Sequence, residues 1–247
     1  MTGLEPRAVE VAPQRTIPVF YRMLLHGQLT RGRMVGLVLL AGMLVLIAIL
    51  VRSEADAEEG ALFAIGEYGL VLFVPLAALM LANPMFGNLV EDRLLVYLWL
   101  KPTPRWHLAV AAFAAVATVL IGVTAAPMVA AALIAGFPSL AVPAALATVL
   151  GVCAYAAVYL LLGLRFSWGL WLGLAYLVVW ENVFARLGDG PARFSLRSYL
   201  LTVLENGTER RIELADRSAV ASVVVPLAVA LVATALTAWV LGRRDVD

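Results

Sequence analysis

Residues 108–164, LAVAAFAAVATVLIGVTAAPMVAAALIAGFPSLAVPAALATVLGVCAYAAVYLLLGL, run for 57 positions without one Asp, Glu, Lys or Arg. No water-facing surface can be built from such a stretch. A helix crossing a bilayer needs about 20 apolar residues, so the run accommodates two crossings joined by a tight turn. Gly136-Phe137-Pro138-Ser139 supplies that turn, since Gly and Pro together punctuate helices.

The rest of the chain follows suit. Hydrophobic residues make up 63% of it and charged residues 14%, and mean hydropathy is +0.93. Soluble domains carry about 25% charged residues, so the composition specifies an integral membrane protein. The fold class expected is all-α and polytopic, one membrane domain over 1–247 with six spans at about 34–51, 62–82, 108–135, 140–164, 168–184 and 219–241. Pro75 near the middle of the second span and Pro127 in the third are expected kinks, tolerated where neighbouring helices surround them. Trp168, Trp171 and Trp180 lie toward the ends of the fifth span, as in an aromatic belt. Cys153 is the single cysteine and lies in an apolar run, which excludes a disulfide framework and a cysteine metal site.

Basic residues set the orientation. With the N-terminus inside, the cytoplasmic segments hold Arg7, Arg15, Arg22, Arg31, Arg33, Arg93, Lys101, Arg105, Arg165, Arg243 and Arg244, eleven of the eighteen basic residues. The first outer loop is acidic, with Glu54, Asp56, Glu58 and Glu59. Both termini are therefore expected in the cytoplasm. Residues 1–15 form a polar tail without a secretory pattern, so the first span would do the targeting. Arg outnumbers Lys seventeen to one and Ala and Val are abundant, a composition typical of high-GC bacteria; the expected location is a bacterial inner membrane.

Two segments are expected to lie along the membrane. Over 16–33, Arg22, His26, Thr30 and Arg33 share one helical face, which suits an interfacial helix. In the outer loop, 188–217, Leu196, Tyr199, Leu200, Val203 and Leu204 recur at helical spacing. Arg193 and Arg197 fall on the polar side, giving an amphipathic or re-entrant helix.

Catalytic patterns are missing from the sequence. It has no G-x-x-x-x-G-K-[ST] phosphate loop, no H-E-x-x-H and no G-x-S-x-G. Its only histidines, His26 and His107, lie near the inner interface. No catalytic residue, metal site or nucleic-acid partner is expected. Ionisable residues inside spans are functional candidates by default. Glu67, at the outer start of span two, and Glu181, at the outer end of span five, are candidates for a pathway or gate together with Pro75. Each is also placed where snorkelling to an interface makes it cheap. Gly32–Gly36 and Gly169–Gly173 have the small-xxx-small spacing that permits close helix contact and weakly suggests a dimer.

One wet segment interrupts the apolar blocks. LVEDRLLVYLWLKPTPRWHL, residues 89–108, opens on Glu91-Asp92-Arg93 and closes on Lys101-Pro102-Thr103-Pro104-Arg105. Its centre, with Leu94, Leu95, Tyr97, Leu98 and Trp99, is too apolar a face for water, and its ends carry charges that would orient a contact. These residues and the arrangement of spans around them resemble the membrane permease of type-2 ABC transporters, the exporter class. Family members often carry an acidic–basic cluster, a Gly-Thr, a Leu-rich turn, then Pro and Arg before the third span. Here Leu94-Leu95 stands where the Gly-Thr is often found.

The resemblance implies that 88–106 is a cytoplasmic coupling loop. Glu91, Asp92, Arg93, Leu94, Tyr97, Leu98, Lys101, Pro102 and Arg105 would contact a separate ATPase subunit, and a second permease, identical or not, would complete the pathway. ATP and Mg²⁺ would sit on the ATPase, and this chain would hold no cofactor and catalyse nothing by itself. A haem-exporting or polysaccharide-exporting relative is an alternative within the class. From another class, a membrane enzyme or a scaffold recruiting a soluble partner remains open.

Overall fold

The computed structural model describes residues 16–28, 30–53, 56–91, 105–166, 168–183, 192–205, 208, 212 and 217–243. These are mostly helical, with no strand among the described residues. Five helices are long and apolar enough to cross a membrane.

The chain begins with α1 (Thr16–Gln28) and α2 (Arg31–Val51). A short α3 (Ala57–Leu62) continues without a break into a wider π-helical stretch (Phe63–Phe73) and then α4 (Val74–Glu91). In that stretch the backbone N–H reaches five residues back, as Val74 does to the Gly69 carbonyl. Pro75, which has no N–H to give, stands where the winding tightens again, so the carbonyl one turn before it loses its ordinary partner. Pro84 and Pro127 lie inside α4 and α5 respectively.

Next come α5 (Trp106–Ala135) and α6 (Ala141–Arg165). Between them Gly136 takes a left-handed φ of 93°, and Phe137 N–H donates to the Ala132 carbonyl at 3.0 Å. This is a Schellman-type stop, and Pro138 opens a single 3₁₀ turn (Pro138–Leu140) before α6. The chain then forms α7 (Gly169–Ala175), a second π-helical stretch (Tyr176–Val183), α8 (Leu196–Glu205) and α9 (Ala219–Arg243).

The interior is built on α4, α5 and α6. Gly163 of α6 makes the tightest crossing: a Cβ there would stand 2.1 Å from the Asn83 carbonyl oxygen of α4. Such close approach of backbones compensates for the missing hydrophobic drive between helices in lipid. The second long helix, Ala57–Phe86, has 67% of its most apolar window buried, against 22% for α2 and for α9, so those two flank the bundle. Their exposed Val38, Leu39, Ile49, Val220, Leu231 and Val232 are side chains suited to hydrocarbon rather than water.

Three of the expected features fall partly on described residues. Segment α1 packs on α5 and buries Phe20, Leu24 and Gln28 as an i, i+4, i+8 stripe, Gln28 donating to Met85 of α4 at 3.3 Å, while Val19, Arg22 and Met23 remain exposed. The expected fifth crossing, 168–184, is a helix of 15 residues from Gly169 to Val183, about 22 Å at 1.5 Å per residue and short of a 30 Å core. Gly169, Gly173 and Gly36 serve contacts within the chain, against Leu162 and Asn83, against Leu79 and Tyr159, and against Met80, while among the described residues nothing lies within 4 Å of a Cβ at Gly32.

Candidate functional site

The segment expected to lie on the outer face is the most enclosed helix of the protein. Every residue of α8 from Leu196 to Leu204 is buried, Arg197 included. It packs against α6, α9 and the first π-helical stretch. The polar side expected at Arg197 therefore does not face water; an i, i+4 pattern locates the apolar stripe but cannot tell lipid surface from a protein interior that pairs the charge.

Contacts fix its depth. Gly169 touches Leu162 and Gly173 touches Tyr159, so α7 runs antiparallel to α6. Leu200 lies beside Gly151, and Gly66 beside Leu201 and Leu204. The first turn of α8 thus begins level with the middle of α6, about 15–20 Å from either end at 1.5 Å per residue. Its other end lies toward Thr208, whose hydroxyl donates to Glu58 at 2.6 Å. Gly169–Val183 and α8 lie in the bundle as two half-helices, and the end of the first meets the start of the second near its middle.

Glu181 sits at that meeting point. It is 0% exposed, and its carboxylate accepts from Ser195 Oγ at 2.5 Å, Tyr176 Oη at 2.6 Å, and the backbone N–H groups of Leu196 and Arg197 at 3.1 Å each. Two of these are orphan donors of the first turn of α8, so Glu181 caps that helix from a distance of 15 residues in sequence, and its charge complements the helix dipole. Sequence position suggested an interfacial, snorkelling carboxylate. The side chain is instead wholly enclosed.

Arg197, in the first turn of α8, pairs with Glu67 of the first π-helical stretch, joining residues 130 apart in sequence. The guanidinium is 3% exposed and the carboxylate 32%. Glu67, Arg197 and Glu181 thus form one cluster of ionisable side chains inside the bundle. Burying ions is costly unless each is paired and hydrogen-bonded, and these are. Tyr155 and Tyr159, one turn apart on α6 with rings stacked at 6.0 Å, lie within electrostatic reach of Glu181. Their hydroxyls are buried and have no hydrogen-bond partner among the described residues. Buried hydroxyls of this kind take up water or a ligand's polar groups.

Of the other candidates, Leu196, Tyr199, Leu200, Val203 and Leu204 are all buried, and Tyr199 Oη donates to the Arg193 carbonyl at 2.7 Å. Pro75 lies at the winding change described above. Glu91 is the last residue of α4, and Asp92, Arg93, Leu94, Tyr97, Leu98, Lys101 and Pro102 lie outside the described residues. Arg105 precedes α5 and donates from Nη1 to the carbonyls of Leu241 and Gly242, both at 3.0 Å. It thereby caps the C-terminus of α9, a role that sequence gave no sign of because the partners are 136 residues away. No cluster of His, Cys, Asp or Glu among the described residues could hold a metal ion.

A scan against protein-family models finds no match, and a search of curated proteins finds no significant relative.

Proposed function

We propose that the chain is the membrane-spanning permease subunit of an ATP-driven exporter of the type-2 ABC class, resident in a bacterial inner membrane with both termini in the cytoplasm. In this proposal six segments cross the membrane, the fifth as two half-helices. The loop from Glu91 to Arg105 receives a separate ATPase, and a second permease subunit completes the pathway. The chain supplies no catalytic residue, and ATP and Mg²⁺ belong to the partner.

The observation that carries the proposal is a polytopic apolar bundle with a buried half-helix before its last span. The sequence adds one charged, partly apolar loop and no phosphate loop. Such a chain has parts that move and none that releases energy. Closure of an ATPase dimer would press on the loop and tilt the α4–α6 unit as a body, since Gly163 and Asn83 lock those two helices.

The experiment is purification of the chain with its genomic neighbours, followed by ATP hydrolysis and transport assays. An ATPase is expected to co-purify, and changing Glu91 and Arg93 together should uncouple it. Retained assembly with unchanged hydrolysis after that change would count against the docking loop. Failure of any ATPase to co-purify would remove the permease assignment, and turnover by the isolated chain would replace it with an enzyme.

A further inference from the structure

Helices α6 and α9 run side by side in the same direction: Ala157 packs with Ala230 and Ala233, and each helix ends in an arginine, Arg165 and Arg243. Counting along both from that contact puts Arg165 level with about residue 239, one turn short of Arg243. Between them lies an open groove of about 350 Å³, lined by Leu161 on α6 and by Val224, Ala228, Val232 and Leu236 among others on α9. The lining is wholly aliphatic and runs about 18 Å along α9 at 1.5 Å per residue, ending within two turns of the arginines.

The arginine end is marked as headgroup level by Trp168 and Trp239, 56% and 54% exposed, which are side chains of a membrane interface. Arg243 lies over the Trp239 ring at 4.1 Å and Arg165 over Phe166 at 5.3 Å. Cation–π contact holds each guanidinium in place while leaving its donors exposed. The α9 carbonyls that would otherwise draw Arg243 back, those of Leu241 and Gly242, are already taken by Arg105. A third positive charge thus stands at the same corner.

We propose that this groove seats one acyl chain of an anionic phospholipid whose phosphate is held by Arg165 and Arg243. Charge decides between occupants. Copies of one membrane protein share an orientation, so a second copy on this face would bring its arginines to the same depth, like charge against like. A zwitterionic lipid fills the groove equally but gains less at the arginines. An anionic headgroup satisfies both the aliphatic channel and the basic corner.

The test uses the full chain, purified in mild detergent and equilibrated with equal amounts of phosphatidylglycerol and phosphatidylcholine, with retained lipid read by native mass spectrometry. The wild-type protein is expected to retain phosphatidylglycerol severalfold over phosphatidylcholine. Each arginine removed, as Arg165→Gln or Arg243→Gln, should weaken that preference about fivefold, and Arg→Lys at both sites should largely preserve it. Filling the groove with Ala228→Phe should reduce retention of both lipids. Arg243→Glu, a single exposed change that spares the bundle, should abolish the preference for the anionic lipid. An unchanged preference in Arg243→Glu would overturn the proposal. So would an Ala228→Phe variant that loses a dimer while keeping its lipid, since the groove would then belong to a second copy.

Discussion

Glu181 is the side chain on which the two half-helices depend, and its removal has a calculable cost. Glu181→Ala takes away both acceptor oxygens and leaves four donors: the Tyr176 and Ser195 hydroxyls and the N–H groups of Leu196 and Arg197. The hydroxyls can rotate toward other acceptors, but the two N–H groups point along the α8 axis and cannot. Loss of the cap alone costs about 1–2 kcal/mol. Two buried hydroxyls forfeiting bonds to a charged acceptor add about 1–3 kcal/mol, allowing for non-additivity in a shared network. The sum is about 4 kcal/mol, which lowers the midpoint by about 10 °C in a chain of this size. Glu181→Gln keeps one acceptor oxygen of similar shape and should cost about half as much. Ser195→Ala removes one donor and should cost about 1 kcal/mol. The assay is thermal unfolding in detergent micelles, read by survival of the monodisperse size-exclusion peak. An alanine variant that melts within about 2 °C of wild type, or no worse than Ser195→Ala, would refute the reasoning.

Other changes follow from contacts already described. Arg197→Met should destabilise by about 3 kcal/mol because it strands Glu67 in a partly buried site, whereas Arg197→Met with Glu67→Gln should recover part of the loss, measured as a double-mutant cycle on the same midpoints. Gly163→Ala should prevent assembly of the bundle or cost more than 2 kcal/mol, since its Cβ would meet the Asn83 backbone; Gly122→Ala, with nothing within 4 Å, should be neutral or slightly stabilising. Arg105→Ala should fray the end of α9 and cost about 1 kcal/mol, with faster hydrogen exchange confined to its last turn.

Apolar run length made the membrane class and the long helices legible in the sequence, since lipid forces every backbone group into a helix and leaves few other readings of 57 uncharged residues. The cluster was legible only in pieces. Glu67 and Glu181 stood out as charges within apolar runs, but their depth did not, because distance from a span end in sequence says nothing about where a helix breaks. Arg197 was visible as the polar flank of an amphipathic pattern, and that pattern is the same for a helix on a surface and one buried against a carboxylate. Tyr155 and Tyr159 carry no signal at all: two aromatics one turn apart in a span resemble ordinary packing. The wide winding at Phe63–Phe73 has Pro75 beside it, yet a proline marks a lost hydrogen bond and not the direction in which the backbone responds.

The enclosure of α8 also bears on how the protein is made. A ten-residue helix carrying an arginine, three hydroxyl residues and a glutamate cannot partition into lipid alone, because one Arg at mid-depth costs about 2.5–3.5 kcal/mol during insertion. Its partners in Glu67 and α6 precede it in the chain, but the wall formed by α9 is synthesised after it. Entry of α8 must therefore be a late, post-insertion event, completed only when the last helix arrives to roof it. A chain truncated after Ser218 and released into the membrane should leave its 196–205 segment open to water-soluble thiol reagents at engineered cysteines, and the full-length chain should close it.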